Sequence, residues 1–200
     1  FNTLIGGLAG DAITTGGDNV ALGYLAVSGL TEGDRNIGIG TGAIDADTKG
    51  NFSIGIGYAA LTTQNFSTAT DVYNTAVGYS AGALITTGLK NTLIGGLAGD
   101  AITDADNNVA VGMLAMSNNQ LGSNSVAVGS DALLDQNPAT ATDMYNVAVG
   151  YHAGRLVTTG INNVFIGGLA GDALQAASDN TAVGYNALGA ETGAQNNVAI

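Results

Sequence analysis

The 200 residues contain no cysteine and no tryptophan, one proline (Pro138) and one histidine (His152). Without cysteine there are no disulfides and no thiolate metal sites. One histidine rules out His-based metal clusters and leaves a Ser-His-Asp triad almost no support. Basic residues are also scarce: Arg35, Lys49, Lys90 and Arg155 stand singly against 16 acidic residues, for a net charge of −12. Neutralising a phosphate backbone takes clustered Lys and Arg, so neither a nucleic acid nor an anionic membrane is expected as a partner. No apolar run is long enough to cross a bilayer, so no membrane insertion is expected of this segment. The N-terminus has no signal-like stretch. Glutamate occurs only at Glu32 and Glu191, a thin basis for the paired carboxylates of a glycosidase.

Glycine, in contrast, makes up 32 residues, and apolar residues 46% of the chain. Glycine costs a helix interior about 1 kcal/mol per site relative to alanine, which argues against a helical protein. The glycines have no period of three, and proline is nearly missing, so collagen is excluded. The apolar content is too high for a disordered linker.

A repeat sets the architecture. The unit Asn-x-x-(Ile/Val/Leu)-Gly places its glycine at 6, 23, 40, 57, 78, 95, 112, 129, 150, 167 and 184, in steps of 17 with two steps of 21. Its first position is Asn in ten of twelve units, with Ser53 and Ser125 as the exceptions; the second is always β-branched and the fourth always branched aliphatic. On a strand the second and fourth residues share one face, and β-branched side chains suit it. These Val and Ile side chains are expected to be enclosed as the core of stacked coils. Three residues after every glycine stands an alanine, from Ala9 to Ala187, as at a tight corner. Ten residues after it, the nine ordinary coils carry only Gly or Ala, as at Gly16, Gly88, Ala177 and Ala194, which marks a second corner. The asparagines are expected either to form an amide ladder along the axis or to act as separate turn-formers.

The fold class that follows is an all-β, parallel β-solenoid of about twelve coils. Seventeen residues cannot bury their own apolar strip, whereas coils stacked at roughly 4.8 Å can, giving a rod of roughly 55 Å. Residues 1–200 read as a single repeat domain with a higher-order repeat of 72 residues, cut from a longer fibre. The two 21-residue coils carry matching insertions, Gln64 to Tyr73 and Gln136 to Tyr145, each following a coil that begins with Ser. These loops are expected to protrude on one side at every fourth coil.

The units Asn108 to Gly112 and Ser125 to Gly129 resemble the head repeat of trimeric autotransporter adhesins, and Asn180 to Leu188 is similar to repeats of bacteriophage tail fibres. The resemblance covers the whole chain. It implies a left-handed parallel β-roll, three chains side by side, and a role in attachment. The coils are longer than those of the adhesin head, and the 21-residue coils depart from its pattern.

Candidate chemistry is sparse. Gly38 to Ala43 and Gly55 to Ala60 imitate a dinucleotide fingerprint, yet the repeat accounts for their glycines and no helix-forming segment follows. Asp11, Asp100 and Asp172, in a near-match to a calcium-binding nonapeptide, read as solvated turn residues, because the successive nine-residue repeats of such sites are missing. Asp45 with Asp47, and Asp104 with Asp106, are weaker cation candidates still, and His152 is expected at an exposed, variable position. No catalytic, cofactor-binding or metal residue is assigned, and no cofactor. Five tyrosines follow the repeat glycine (Tyr24, Tyr58, Tyr79, Tyr151, Tyr185), while Tyr73 and Tyr145 precede the Asn after each long loop. They form either an aromatic strip for a surface glycan or protein receptor, or packing between chains of a bundle. The expected function is a structural, adhesive shaft, extracellular, on a cell surface or a virion, acting as a homotrimer. Alternatives are a self-assembling filament subunit and an ice-binding solenoid, for which the pairs Thr14-Thr15, Thr62-Thr63, Thr86-Thr87 and Thr158-Thr159 recur in only some coils. An enzyme comes last.

Overall fold

The computed structural model describes residues 1–193 and 195–200. Strands follow in chain order as β1 (Thr3–Ile5), β2 (Val20–Leu22), β3 (Ile37–Ile39), β4 (Gly50–Asn51), β5 (Ile54–Ile56), β6 (Thr70–Asp71), β7 (Thr75–Val77) and β8 (Thr92–Ile94). They continue as β9 (Val109–Val111), β10 (Gly122–Ser123), β11 (Val126–Val128), β12 (Thr142–Asp143), β13 (Val147–Val149), β14 (Val164–Ile166), β15 (Thr181–Val183) and β16 (Val198–Ala199). Twelve of them, one per coil, make a single parallel sheet in sequence order, while β4–β6 and β10–β12 form two small sheets beside the long coils. The register is that of the repeat: Thr3 pairs with Val20, Val109 with Val126, and across the long coils Ile54 with Thr75 and Val126 with Val147. The chain is therefore an all-β parallel β-solenoid of about twelve coils, and among the described residues no helix is long and apolar enough to cross a membrane.

The core is not where the strand pattern places it. In the ten inner strands of the long sheet the third residue of the unit is buried (as at Ala21, Gly38, Ala76, Leu93, Ala110 and Phe165), and only in the two end coils are Leu4 and Ala199 uncovered, while the second and fourth residues of the unit lie half-buried or exposed on the outer side. The expectation that Val and Ile are enclosed is overturned, and alternation along the strand then points the whole β-branched set outward. Thinness of the coil explains the inversion. The middle residue faces two further inward columns, four and seven residues after the repeat glycine, and space is shared among them. A Cβ on Gly38 would run into Val27 of the coil before it, and one on Gly55 would stand 2.8 Å from Cγ1 of Ile44 in the coil before it; large Leu93 and Phe165 face Gly99 and Gly171 of their own coils. A Cβ on Gly99 would sit 2.8 Å from Leu93 Cδ2 and from Ile102 Cδ1, and one on Gly171 would overlap the Phe165 ring.

The corners agree with the repeat. The alanines three residues after the glycine are buried from Ala9 to Ala170. On either side of each lies a residue of positive φ, as at Leu25 and Val27 or Leu114 and Met116. A β-branched residue in this region is strained, and at Val27 and Ile44 full burial offsets it. The eleven repeat glycines have φ between 126° and 142°, which suits only glycine. At the second corner the Gly or Ala is buried in the eight coils described; Ala194, the ninth member, lies outside the described residues.

The asparagine column forms a ladder. Each Asn side-chain oxygen accepts the backbone N–H of the equivalent residue one coil on, nine times at 2.8–3.1 Å. In eight coils its amide also donates to the backbone carbonyl fourteen residues ahead at 2.7–3.0 Å, closing the coil at the second corner. Direct amide-to-amide bonds link Asn146, Asn163, Asn180 and Asn197. These buried amides thus satisfy donors and acceptors that the turns leave open.

Candidate interaction surfaces

The outer side of the twelve-stranded sheet is an apolar surface. Its two columns, the second and fourth residues of every unit, consist only of Val, Ile, Leu and Thr. Ile5, Leu22, Ile94, Val149 and Ile166 are 37–58% exposed. Twelve strands at about 4.8 Å spacing and about 10 Å length give a face of roughly 500 Å², as large as the biggest apolar patch of an ordinary monomer and free of charge.

Aromatic residues line both margins of this face. After the glycine, Tyr24, Tyr58, Tyr79, Tyr151 and Tyr185 are all more than half exposed, and Tyr58 stacks on Tyr79 with centroids 5.5 Å apart. Before the first residue of the unit, Phe52 stacks on Tyr73 at 5.1 Å, with the Arg35 guanidinium 5.4 Å from the Phe52 ring. Tyr145 instead donates its hydroxyl to Asp143 at 3.2 Å, and the neighbouring carboxylate raises the phenol pKa. The tyrosines therefore flank the apolar columns in two lines rather than forming one strip.

The long coils meet a buried polar node. Where Ser53 replaces Asn, Gln64 reaches in from seven residues past the glycine, donates to Ser53 Oγ at 2.9 Å and to Asp47 at 2.6 Å, and accepts from Asn74 at 2.9 Å. Asp47 is fully buried and also accepts the backbone N–H groups of Gly50 and Phe66, both at 3.1 Å. Burial pushes its carboxyl pKa up, against the opposing pull of these hydrogen bonds. In the second long coil Gln136 and Asn119 take the same places, but Asn119 turns to Gly122 and the Gln136 amide nitrogen has no partner among the described residues. The node anchors the start of each insertion, whose protrusion is confined to exposed tips, Ser67–Ala69 and Ala139–Ala141, with Phe66, Val72, Pro138 and Met144 buried. Two consecutive polar residues at each node, Asp47 with Gln64 and Asn119 with Gln136, in a column that is aliphatic in every other coil but the one of Glu191, were the available sequence signal for it.

The residues nominated for chemistry are dispersed. Asp45 accepts from the Ser28 hydroxyl on the surface, apart from buried Asp47. Asp104 accepts from Thr86 and Thr87, and Asp106 from the backbone N–H of Leu89. Asp100 accepts from Ser117 at 2.5 Å, Asp172 lies 3.6 Å from Arg155 Nε, and Asp11 is exposed. Gly38 and Gly55 are inward strand residues, and Gly40 and Gly57 are repeat glycines of positive φ. His152 corrects the expectation of an exposed position: it is 22% exposed, stacked on Tyr151, with Nε2 3.6 Å from Asp131. The chain matches no protein-family model, no curated protein and no solved structure.

Proposed function

We propose that this chain is a rod-like segment of an extracellular adhesive fibre, on a cell or virion surface, whose copies pack side by side through the outer face of the twelve-stranded sheet. The observation that carries the reading is the outward direction of the second and fourth residues of every unit. Water is a poor partner for an unbroken column of Val, Ile and Leu beside a second column of Val and Ile with four threonines, and burying them against equivalent columns removes that cost. The repeat gives each copy the same pattern, so a closed rotational arrangement is satisfied by one interface used several times. Three copies fit the resemblance of the repeat to trimeric fibres. The tyrosine lines at the margins suit such packing, as amphipathic aromatics do at interface edges. Attachment by such a rod relies on stiffness and on many weak contacts presented together.

Sedimentation equilibrium tests this. A discrete trimer is the expected species, and the double substitution Val128→Asp with Val149→Asp is expected to give monomers with an unchanged far-UV circular dichroism spectrum. A chain that stays monomeric at micromolar concentration without any substitution overturns the reading, and an open-ended series of polymers supports the filament alternative. An ice-binding face is less well matched, because threonine occupies only Thr3, Thr75, Thr92 and Thr181 on this surface and every fourth position is aliphatic.

A further inference from the structure

Across the core from the sheet, the residues six and eight places after the repeat glycine point outward in the inner coils, because the residue between them is a core side chain such as Leu30 or Ile102. The sixth-place column reads Ala12, Gly29, Ala46, Thr63, Leu84, Ala101, then Asn118 and Asp135, then Leu156, Ala173 and Ala190. The eighth-place column is threonine in seven of eleven coils and an amide at Asn65, Gln120, Asn137 and Gln175, but only the coils of Gln120 and Asn137 also carry an amide or carboxylate at the sixth place. Both columns thus turn to amide and carboxylate together. The result is a groove of about 480 Å³ lined by Ala101, Asn118, Gln120, Asp135, Asn137 and Thr158.

The groove is built rather than incidental. Asn118 Nδ2 donates to Asp135 Oδ1 at 2.7 Å, and the Gln120 backbone N–H donates to Asn137 Oδ1 at 3.4 Å. Coil-to-coil backbone bonds fix the residues beneath, from Asn118 to Leu134, Asp135 to Arg155 and Asn137 to Thr158. Among the described residues this leaves Asp135 Oδ2, Asn118 Oδ1, Asn137 Nδ2 and the whole Gln120 side-chain amide without a protein partner. Acceptors beside donors, with Asn118 and Asp135 held together by their mutual bond, match vicinal hydroxyl groups, each of which donates and accepts. The single carboxylate, on a chain of net charge −12, disfavours a phosphate, sulfate or uronate.

We propose that this groove is a binding site for a neutral saccharide chain, with Asp135 and Asn118 engaging one pair of hydroxyls and Gln120 and Asn137 the next. The proposal rests on the attachment reading and supplies the ligand class for it. The sheet and the groove meet the core from different sides, so packing of copies through the sheet leaves the groove open.

The first long coil provides the control. Seventy-two residues earlier, the positions of Asn118, Gln120 and Asp135 hold Ala46, Thr48 and Thr63. The triple variant Asn118→Ala, Gln120→Thr and Asp135→Thr therefore carries residues this fold already accepts at equivalent sites, and is expected to fold and assemble like the parent. Both proteins are titrated with soluble mannan, dextran and galactan, with polygalacturonate as the charged comparison, and each preparation is checked by sedimentation. The expected result is binding of at least one neutral polymer, weakened about tenfold or more in the variant as a few hydrogen bonds are lost, with unchanged assembly. Equal binding by parent and variant overturns the groove while leaving an attachment role intact. Absence of binding to every neutral polymer, or preference for polygalacturonate, overturns it as well, and the sedimentation result then judges the fibre reading separately.

Discussion

At Gly95 a methyl group has no room. Its φ is 135°, and an added Cβ would stand 2.5 Å from the carbonyl oxygen of Gly112, a backbone atom that cannot turn aside. Gly96, its neighbour, has nothing within 4 Å of the same position. Gly95→Ala is expected to destabilise by roughly 2 kcal/mol or more, from strain in the backbone and between coils. Gly96→Ala is expected to stay within about 0.5 kcal/mol of the parent. Equilibrium denaturation of both separates a requirement of the stack from a mere abundance of glycine. Ala98, fully buried at the first corner, makes the converse point. Ala98→Leu is expected to cost on the order of 1–3 kcal/mol by overpacking, and an unchanged melting curve contradicts the corner.

The element that departs most from the simple coil is the pair of long coils, and its chemistry is that of one buried carboxyl. Because burial raises the Asp47 pKa above its ordinary 3.8, the folded state holds this proton more tightly than the unfolded chain does. The contribution of Asp47 to stability is therefore greatest below the ordinary carboxylate range and declines as pH rises through the folded value. Asp47→Asn removes the titration, and Asn119 shows that an amide is accepted at the equivalent place. The melting temperature of Asp47→Asn minus that of the parent is expected to increase from about pH 4 to about pH 7. A difference independent of pH contradicts the assignment.

For the whole molecule, each coil meets only the coils before and after it, so stability accumulates along one dimension and length follows coil number. Twelve coils at about 4.8 Å predict a rod segment of roughly 55 Å. Small-angle scattering is expected to return that long dimension whether the rods are single or bundled side by side, with only the cross-section growing on association. A scattering profile of a rounded particle with no such axis contradicts the stack.

The repeat glycines, the alanine corner and the asparagine column were legible in the sequence, because each is a local steric or hydrogen-bonding demand met again in every coil. Coil number and parallel register follow from the same spacing. The sequence by itself did not determine which side of the strand faces inward: alternation assigns residues to two faces without saying which is the core, and hydrophobicity favoured the wrong one. Tertiary structure decided it, because a coil this thin admits only a small residue, or a large one opposite glycine, at the middle of the strand. The polar node and the groove were also decided there. Both join residues from neighbouring coils whose proximity exists only once the coils are stacked.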